Sequence, residues 1–497
     1  MDTLLGFYPA VSIICEKLDF QELKHISVLS KAWLDITNDI FVNRSRINIS
    51  KIPEQCLSHL KRNYKKVRVS SFTLELKPLN IPSSAVDVYL KAPLSEVTFH
   101  ELQSLKKLRH LKIDDAVLSH PSTVLLNNSL ESLDMVIWND NSVSLLKNLL
   151  HGNKYSLQAL KIHEFGIHDF NYLKTTILPN LKMFLYTLSN DVQEKCQSLE
   201  TFFENHTNLE EIVLKNIHMS DAFFKTFVKN SKNTRKLCIR NSSAENIEIS
   251  EFEKMTNLEM LEFINFHFDL NKFCRIKITN LQSLHIEQLN EYISNEELEI
   301  FLKNHTKLTS LSMICYFSEK FKFSFFAKYL PRIHKLELSN IKLSLKNIET
   351  FQNLQILSLE NCLLDNALLL HLNAPRLRSV VITDSFVSES GIKVLTERSP
   401  MIEKLNLKEG LNINDLCTKF IVENLIYLKY LDISSCKQIT ILSLELVLTK
   451  SRIIKTTCQY SSIRTEIHLK DLSESNGFEL KFDNGWEITN GARKILL

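Results

Sequence analysis

The chain has 497 residues, 44% of them hydrophobic, and its 60 lysines and arginines against 57 acids leave a formal charge of +3. That balance excludes an intrinsically disordered chain and provides no general field for nucleic acid or an anionic membrane. Only 8 glycines and 10 prolines occur, too few for long flexible linkers.

At the N-terminus Asp2 stands where a secretory leader has a basic residue, Pro9 interrupts the apolar run, and Glu16, Lys17 and Asp19 close it, so no signal peptide is expected. No stretch reaches the ~18 uncharged apolar residues of a membrane helix. The 10 cysteines contain no Cys-x-x-Cys pair and suit a reducing compartment. A cytoplasmic or nuclear protein with no membrane partner is expected. Residues 4–42 read as three short helices. Pro9 fits a first helical position, followed by the apolar stripe Ala10, Ile13, Ile14 and Leu18. Asp19 and Glu22 then form a capping box before Leu23 and Ile26, and Ser30 caps a third helix carrying Trp33 and Ile36. Three helices in so short a span make a poor core by themselves and need a surface to cover them.

Residues 43–107 pass through Pro53, Pro78, Pro82 and Pro93. Val67-Arg68-Val69, Val86-x-Val88-x-Leu90 and Val97-x-Phe99 alternate like strands, so one to three irregular repeats are expected there. Lys61, Arg62, Lys65, Lys66 and Arg68 form a basic cluster read as a solvated face.

From Leu108 a pattern recurs: an apolar residue, two variable ones, a second apolar residue, one variable, then a third. Fourteen frames open at Leu108, Leu130, Leu157, Leu181, Leu209, Thr234, Leu258, Leu281, Leu308, Ile333, Leu354, Leu377, Ile402 and Leu428. Their mean step of 24.6 residues lies in the range of leucine-rich repeats and outside that of the helical-repeat families. The end of each frame obeys period two: Leu357 and Leu359 should point inward, and Ile356, Ser358 and Glu360 outward. One strand and its return segment cannot bury an apolar face alone, so the repeats must stack into an α/β solenoid. A horseshoe with parallel concave strands and convex helices is expected. Leu364–Leu372 has helical leucine spacing, and Asn205-His206-Thr207-Asn208-Leu209 marks a helix ending before a strand.

The outward strand positions of the fourth to seventh repeats include Met183, Leu185, Val213, Lys215, Lys236, Arg240, Met260, Glu262 and Ile264. Apolar side chains facing out there point to a protein-binding patch. A register slip of one residue would turn them all inward. Beyond the last frame, Ile453, Thr456 and Cys458 hold an irregular repeat, and Phe478–Phe482 and Trp486–Ile488 flank Asp483-Asn484-Gly485 as a hairpin that caps the array. The expected division is therefore 1–45, a helical domain; 46–107, linker and irregular repeats; 108–458, the array; and 459–497, the cap.

No glycine-rich phosphate loop, Gly-x-Ser-x-Gly or His-Glu-x-x-His occurs. His163, Glu164, His168 and Asp169 come nearest to a metal set, at spacings that no structural zinc motif uses. No catalytic residue, metal or cofactor is expected.

The N-terminal helices resemble the F-box. The resemblance rests on Leu18, Leu23, Val28-Leu29, Ser30-Lys31 and Trp33, with the tryptophan ten residues after Leu23. The family's Leu-Pro falls instead on Gly6-Phe7, with Pro9 two residues late. Cys362 and Cys436, in Leu-x-x-Leu-x-Leu-x-x-Cys, make the array similar to the cysteine-containing leucine-rich repeats, in which a buried thiol fills the turn after the strand. An F-box followed by such repeats is a recurrent family arrangement. It implies a non-catalytic substrate receptor of an SCF-type cullin–RING E3 ubiquitin ligase, marking its substrate for proteasomal degradation. By that resemblance Ile14, Leu18, Leu23, Leu29 and Trp33 dock on the adaptor subunit, which leads to the cullin and RING subunits, and the concave face holds a protein substrate. The alternative is a repeat scaffold or inhibitor in which residues 4–42 merely cap the array. An RNA-associated reading rests only on the basic cluster, and no nucleic-acid partner is expected.

Overall fold

The computed structural model describes residues 46–48, 65–69, 81–91, 96–114, 129–165, 171–189, 196–244, 247–317, 320–345, 348–364, 368–450, 455–457, 479–482, 486–490 and 493–496. The chain divides into two compact units, Met1–Thr234 and Arg235–Leu497. The helices expected over residues 4–42, with the whole of the F-box resemblance, lie outside the described residues.

In the first unit β1 (Arg46–Asn48), β2 (Lys66–Val69), β3 (Asp87–Leu90), β4 (His110–Ile113), β5 (Ser132–Ile137), β6 (Ala159–Glu164), β7 (Met183–Leu188) and β8 (Glu211–Lys215) form a parallel ladder in chain order. A short β9 (His218–Met219) follows. The register aligns the second apolar position of each frame, Leu111 with Leu133, Leu160, Phe184 and Ile212, and all five are at most 2% exposed. Return helices Asp140–Gly152, Asn171–Thr175, Cys196–Asn205 and Asp221–Asn230 pack behind the sheet. They start where the chain supplies caps: Asn139 accepts from Ser142 N in a capping box, and Ser220 from Phe223 N. Between sheet and helices Phe184, Phe202, Phe203, Phe223 and Phe227 interlock, Phe184 and Phe202 with ring centroids 4.3 Å apart.

The second unit continues the pattern through β10 (Lys236–Ala244), β11 (Met260–His267), β12 (Ser283–Ile293), β13 (Ser310–Phe317), β14 (Lys320–Lys322), β15 (Lys335–Ser339), β16 (Lys342–Ser344), β17 (Glu349–Thr350), β18 (Ile356–Glu360), β19 (Leu363–Leu364), β20 (Leu372–Asn373), β21 (Ser379–Thr383), β22 (Lys404–Asn406), β23 (Tyr430–Asp432) and β24 (Lys455–Thr457). The main parallel ladder runs β10, β11, β12, β13, β15, β18, β21, β22, β23, β24. The irregular last frame is the strand expected around Thr456, which pairs with Leu431. β25 (Glu479–Phe482) and β26 (Trp486–Asn490) form the expected hairpin, with Phe482 opposite Trp486, and β27 (Arg493–Leu496) returns to pair with β24. Each unit is thus a segment of leucine-rich-repeat solenoid, with strands on one face and return segments on the other.

Three local expectations change. Val97–Phe99 lies in the helix Glu96–Ser104, where Leu102 is buried and Glu101 accepts from Ile81 N at 2.6 Å, so the apolar spacing there serves a helix rather than a strand. Leu364–Leu372 is not one helix: it holds the end of β19, a single turn Leu368–His371 and the start of β20. The frames opening at Ile333 and Leu354 are followed after only 21 and 23 residues, too few for a frame, two turns and a long helix, so short strands take up the return. Ser358 keeps its outward position but is 5% exposed, because its Oγ folds onto Glu360 Oε1 at 2.9 Å.

Two devices hold neighbouring repeats together. In the frames opening at Leu209, Thr234, Leu258, Ile333, Leu354, Leu377, Ile402 and Leu428 the seventh residue after the opening takes a positive φ: Asn216, Asn241, Asn265, Asn340, Asn361, Asp384, Glu409 and Ser435. Asparagine tolerates this conformation, and its amide joins adjacent repeats: Asn265 donates to Asn241 at 3.1 Å and Asn361 to Asn340 at 2.7 Å. The turn sends the next side chain inward, burying Ile217, Phe266, Ile341, Cys362 and Cys436 to at most 1% exposure. Cys362 Sγ donates to Leu338 O at 3.5 Å and Cys436 Sγ to Leu407 O at 3.2 Å, each a carbonyl of the preceding repeat.

Candidate protein-binding surface

The alternation that buries one side of each strand fixes the other as a surface. In β7 and β8 Met183, Leu185, Val213 and Lys215 all occupy outward, half-buried positions, and in β10 and β11 Arg240, Glu262 and Ile264 do the same, while Lys236 and Met260 point outward and are exposed, Met260 to 44%. The frame has not slipped. In the first unit Leu185 sits beside Val213, while Lys161 flanks Leu185 on the other side, giving a small apolar area edged by charge. In the second, Met260 pairs in register with Lys236, Arg240 with Ile264, and the Arg240 guanidinium reaches across to Glu262. Cys238 stands beside that pair, in register with Glu262 and accepting from Arg240 Nε at 3.1 Å; burial, then the Glu262 charge, pushes its thiol up to about 11. The adaptor-contact positions Ile14, Leu18, Leu23, Leu29 and Trp33 lie outside the described residues.

Side chains of the earlier repeats complete the first unit's face. Tyr89 donates to Asp114 at 2.6 Å, with the Arg68 guanidinium 4.9 Å and the Lys112 ammonium 5.4 Å from its ring centre. Lys112 lies 3.3 Å from Asp134, which His163 Nε2 approaches at 3.4 Å. Burial alone would raise Asp134, but the His163 hydrogen bond and the Lys112 charge outweigh it and hold the carboxyl below its ordinary range. A polar network therefore spans β2 to β6. Glu164, grouped with His163 in the sequence, points the opposite way: it is 1% exposed and accepts from the Tyr186 hydroxyl at 2.8 Å. The two residues stand on opposite faces of β6, and His168 and Asp169 lie outside the described residues.

Beside this network Trp138 and Phe165 stack with centroids 4.5 Å apart, 42% and 46% exposed. They occupy the position that the repeats with a left-handed turn bury. β5 and β6 continue straight through the point where Asn216 or Asn361 turns left-handed, so Ile137 and Glu164 go inward and the next residues stay out. The signal present in the sequence is the missing asparagine: Ile137 and Glu164 precede these two aromatic residues, whereas Phe266, at the same position but after Asn265, is buried.

No family model matches the chain, and no curated protein matches it. Among solved structures the fold aligns with the mouse RP105/MD-1 complex at 15% identity, covering 83% of this chain and 73% of that one with a TM-score of 0.47. It also aligns with an internalin of Listeria monocytogenes at 17% identity, over 70% of this chain and 86% of the other, TM-score 0.40. A leucine-rich-repeat protein of Leptospira interrogans aligns at 14% identity over 87% and 97%, TM-score 0.41.

Proposed function

We propose that this chain is the substrate-recognition subunit of an SCF-type E3 ubiquitin ligase, acting in the cytoplasm or nucleus. The observation that carries the reading is the order of its parts: Leu18, Leu23, Leu29 and Trp33 at F-box spacing, directly followed by a solenoid whose strand positions offer mixed apolar and charged side chains. In this reading the N-terminal helices, with Ile14, bury their apolar side on the adaptor, and through it the cullin and RING subunits are recruited. The strand face holds a protein substrate. The chain makes no bond itself; holding substrate lysines near the ubiquitin thioester raises their effective concentration.

The departure at Gly6-Phe7 favours one rival, a repeat scaffold or inhibitor that never meets an adaptor. Copurification separates the two. The wild-type chain should bring down adaptor and cullin, and a Leu23→Asp, Trp33→Ala variant with unchanged circular dichroism should bring down neither. A wild-type chain free of both supports the scaffold.

A further inference from the structure

The strand face of the second unit carries a charge asymmetry. From β11 to β18 its outward positions hold Glu262, Glu287, Glu337 and Glu360 against Lys335 alone. Arg240 neutralises Glu262, and Lys335 lies 3.0 Å from Glu337. Glu287 and Glu360 are left without a cationic partner among the described residues, the Glu360 carboxylate accepting from Ser358 Oγ at 2.9 Å. In the first unit the same positions are richer in cations: Lys66, Arg68, Lys112, Lys161 and Lys215 against Asp87, Asp134 and Glu211.

Register places these two carboxylates on one row. Glu287 pairs with Ile314, Ile314 with Ser339, and Ser339 with Glu360. Three strand steps at about 4.8 Å put the two residues about 14 Å apart along the sheet. Ile264 flanks Glu287 on its other side. In the adjoining row Ser312 stands between His285 and Glu337; it is 4% exposed, and its Oγ has no hydrogen-bond partner. A small side chain between two large ones makes a slot, and its hydroxyl is an acceptor that the fold leaves unused.

We infer that this row binds a basic extended segment of the protein partner, with two lysines or arginines four residues apart on Glu287 and Glu360 and an apolar side chain between them on Ile314. Four residues of extended chain at about 3.4 Å each span the ~14 Å between the two strand positions. A cation at Glu287 also reaches the Ser312 slot in the next row. The inference rests on the substrate-receptor reading only in taking that segment to belong to the ligase substrate.

The test is fluorescence anisotropy of the full chain with labelled Gly-Arg-Ser-Leu-Ser-Arg-Gly, against the same peptide with both arginines replaced by glutamate and one with the arginines adjacent. The four-spaced basic peptide should bind at least tenfold more tightly than either control, weakening with salt. Glu287→Lys, Glu360→Lys should weaken it at least tenfold, Glu287→Gln, Glu360→Gln less so, and Lys161→Glu in the first unit less than twofold. Equal binding of the three peptides, no binding of the basic one, or indifference to both double substitutions overturns the inference. Adaptor copurification does not depend on Glu287 or Glu360, so the readings fail separately. Adaptor bound with no peptide preference removes this site alone; peptide preference without adaptor keeps the site and removes the ligase.

Discussion

The imidazole of His305 lies flat on the ring of Phe301, centroids 4.4 Å apart, and its Nδ1 donates to the carbonyl of that same residue at 2.9 Å. Its Nε2 accepts from Ile278 N of the preceding repeat at 3.2 Å. His206 repeats the arrangement in the first unit with Phe202 and Leu178 N. Both rings must be neutral, because a protonated Nε2 could not accept. Burial pushes His305 down to about 4, overcoming the raising effect of the Phe301 carbonyl, and burial likewise lowers His206. The unfolded chain, with ordinary histidines near pH 6.5, then binds more protons than the folded one, so stability is full above that pH and falls as pH drops toward 4. A loss on the order of 1 kcal/mol from His305 by pH 5.5 is expected. Urea midpoints at pH 7.5 and 5.5 should fall accordingly in the wild type, and less steeply in a His305→Gln variant that starts lower.

The cysteines after the strands should behave as buried packing groups. Burial raises Cys362 to about 12 and Cys436 to about 11. Neither thiol should react with iodoacetamide at pH 8 in the native chain, and both should react in urea. Cys436→Ala, which also loses the bond to Leu407 O, should cost about 1–3 kcal/mol in urea unfolding.

At Asn361, with φ of 51°, the order of substitutions matters more than their size. Glycine keeps the conformation and loses only the amide bond to Asn340, a cost of about 1 kcal/mol. Valine adds left-handed strain, for about 2–3 kcal/mol in all. Denaturation midpoints should rank wild type, Asn361→Gly, Asn361→Val.

Aromatic side chains on the two faces should differ sharply. Phe202 is fully buried, so Phe202→Ala should cost about 3–5 kcal/mol. Trp138→Ala removes an exposed stack worth about 0.5–1.5 kcal/mol. If the two cost the same by thermal unfolding, the Trp138–Phe165 pair is a structural element rather than surface.

The array was legible because two periods coincide in it. The frames opening at Leu130 and Leu354 name their inward residues through local alternation, and the recurrence near 25 residues says that these strands must stack. That is why alternation alone separates Leu357, which is buried, from Met183, which faces outward. What was missed depends on single residues rather than periods. Asn216 and Asn361 look like ordinary polar residues, yet their left-handed turns decide whether the following side chain is core, as Cys362 is, or surface, as Trp138 is. The His163–Asp134 and Tyr89–Asp114 contacts join residues 29 and 25 apart, across strands whose exact pairing no local pattern specifies. Val97–Phe99 misled for a related reason: three residues fit period two and period 3.6 alike, and only Leu102 decides between them.

The most direct measurement of the central claim is calorimetric titration of purified SCF adaptor into the purified chain. The account predicts saturable one-to-one binding, abolished by Leu23→Asp with Trp33→Ala and unaffected by Glu287→Lys with Glu360→Lys. Absence of heat with a folded wild-type chain, or equal binding by the Leu23→Asp, Trp33→Ala variant, would contradict it.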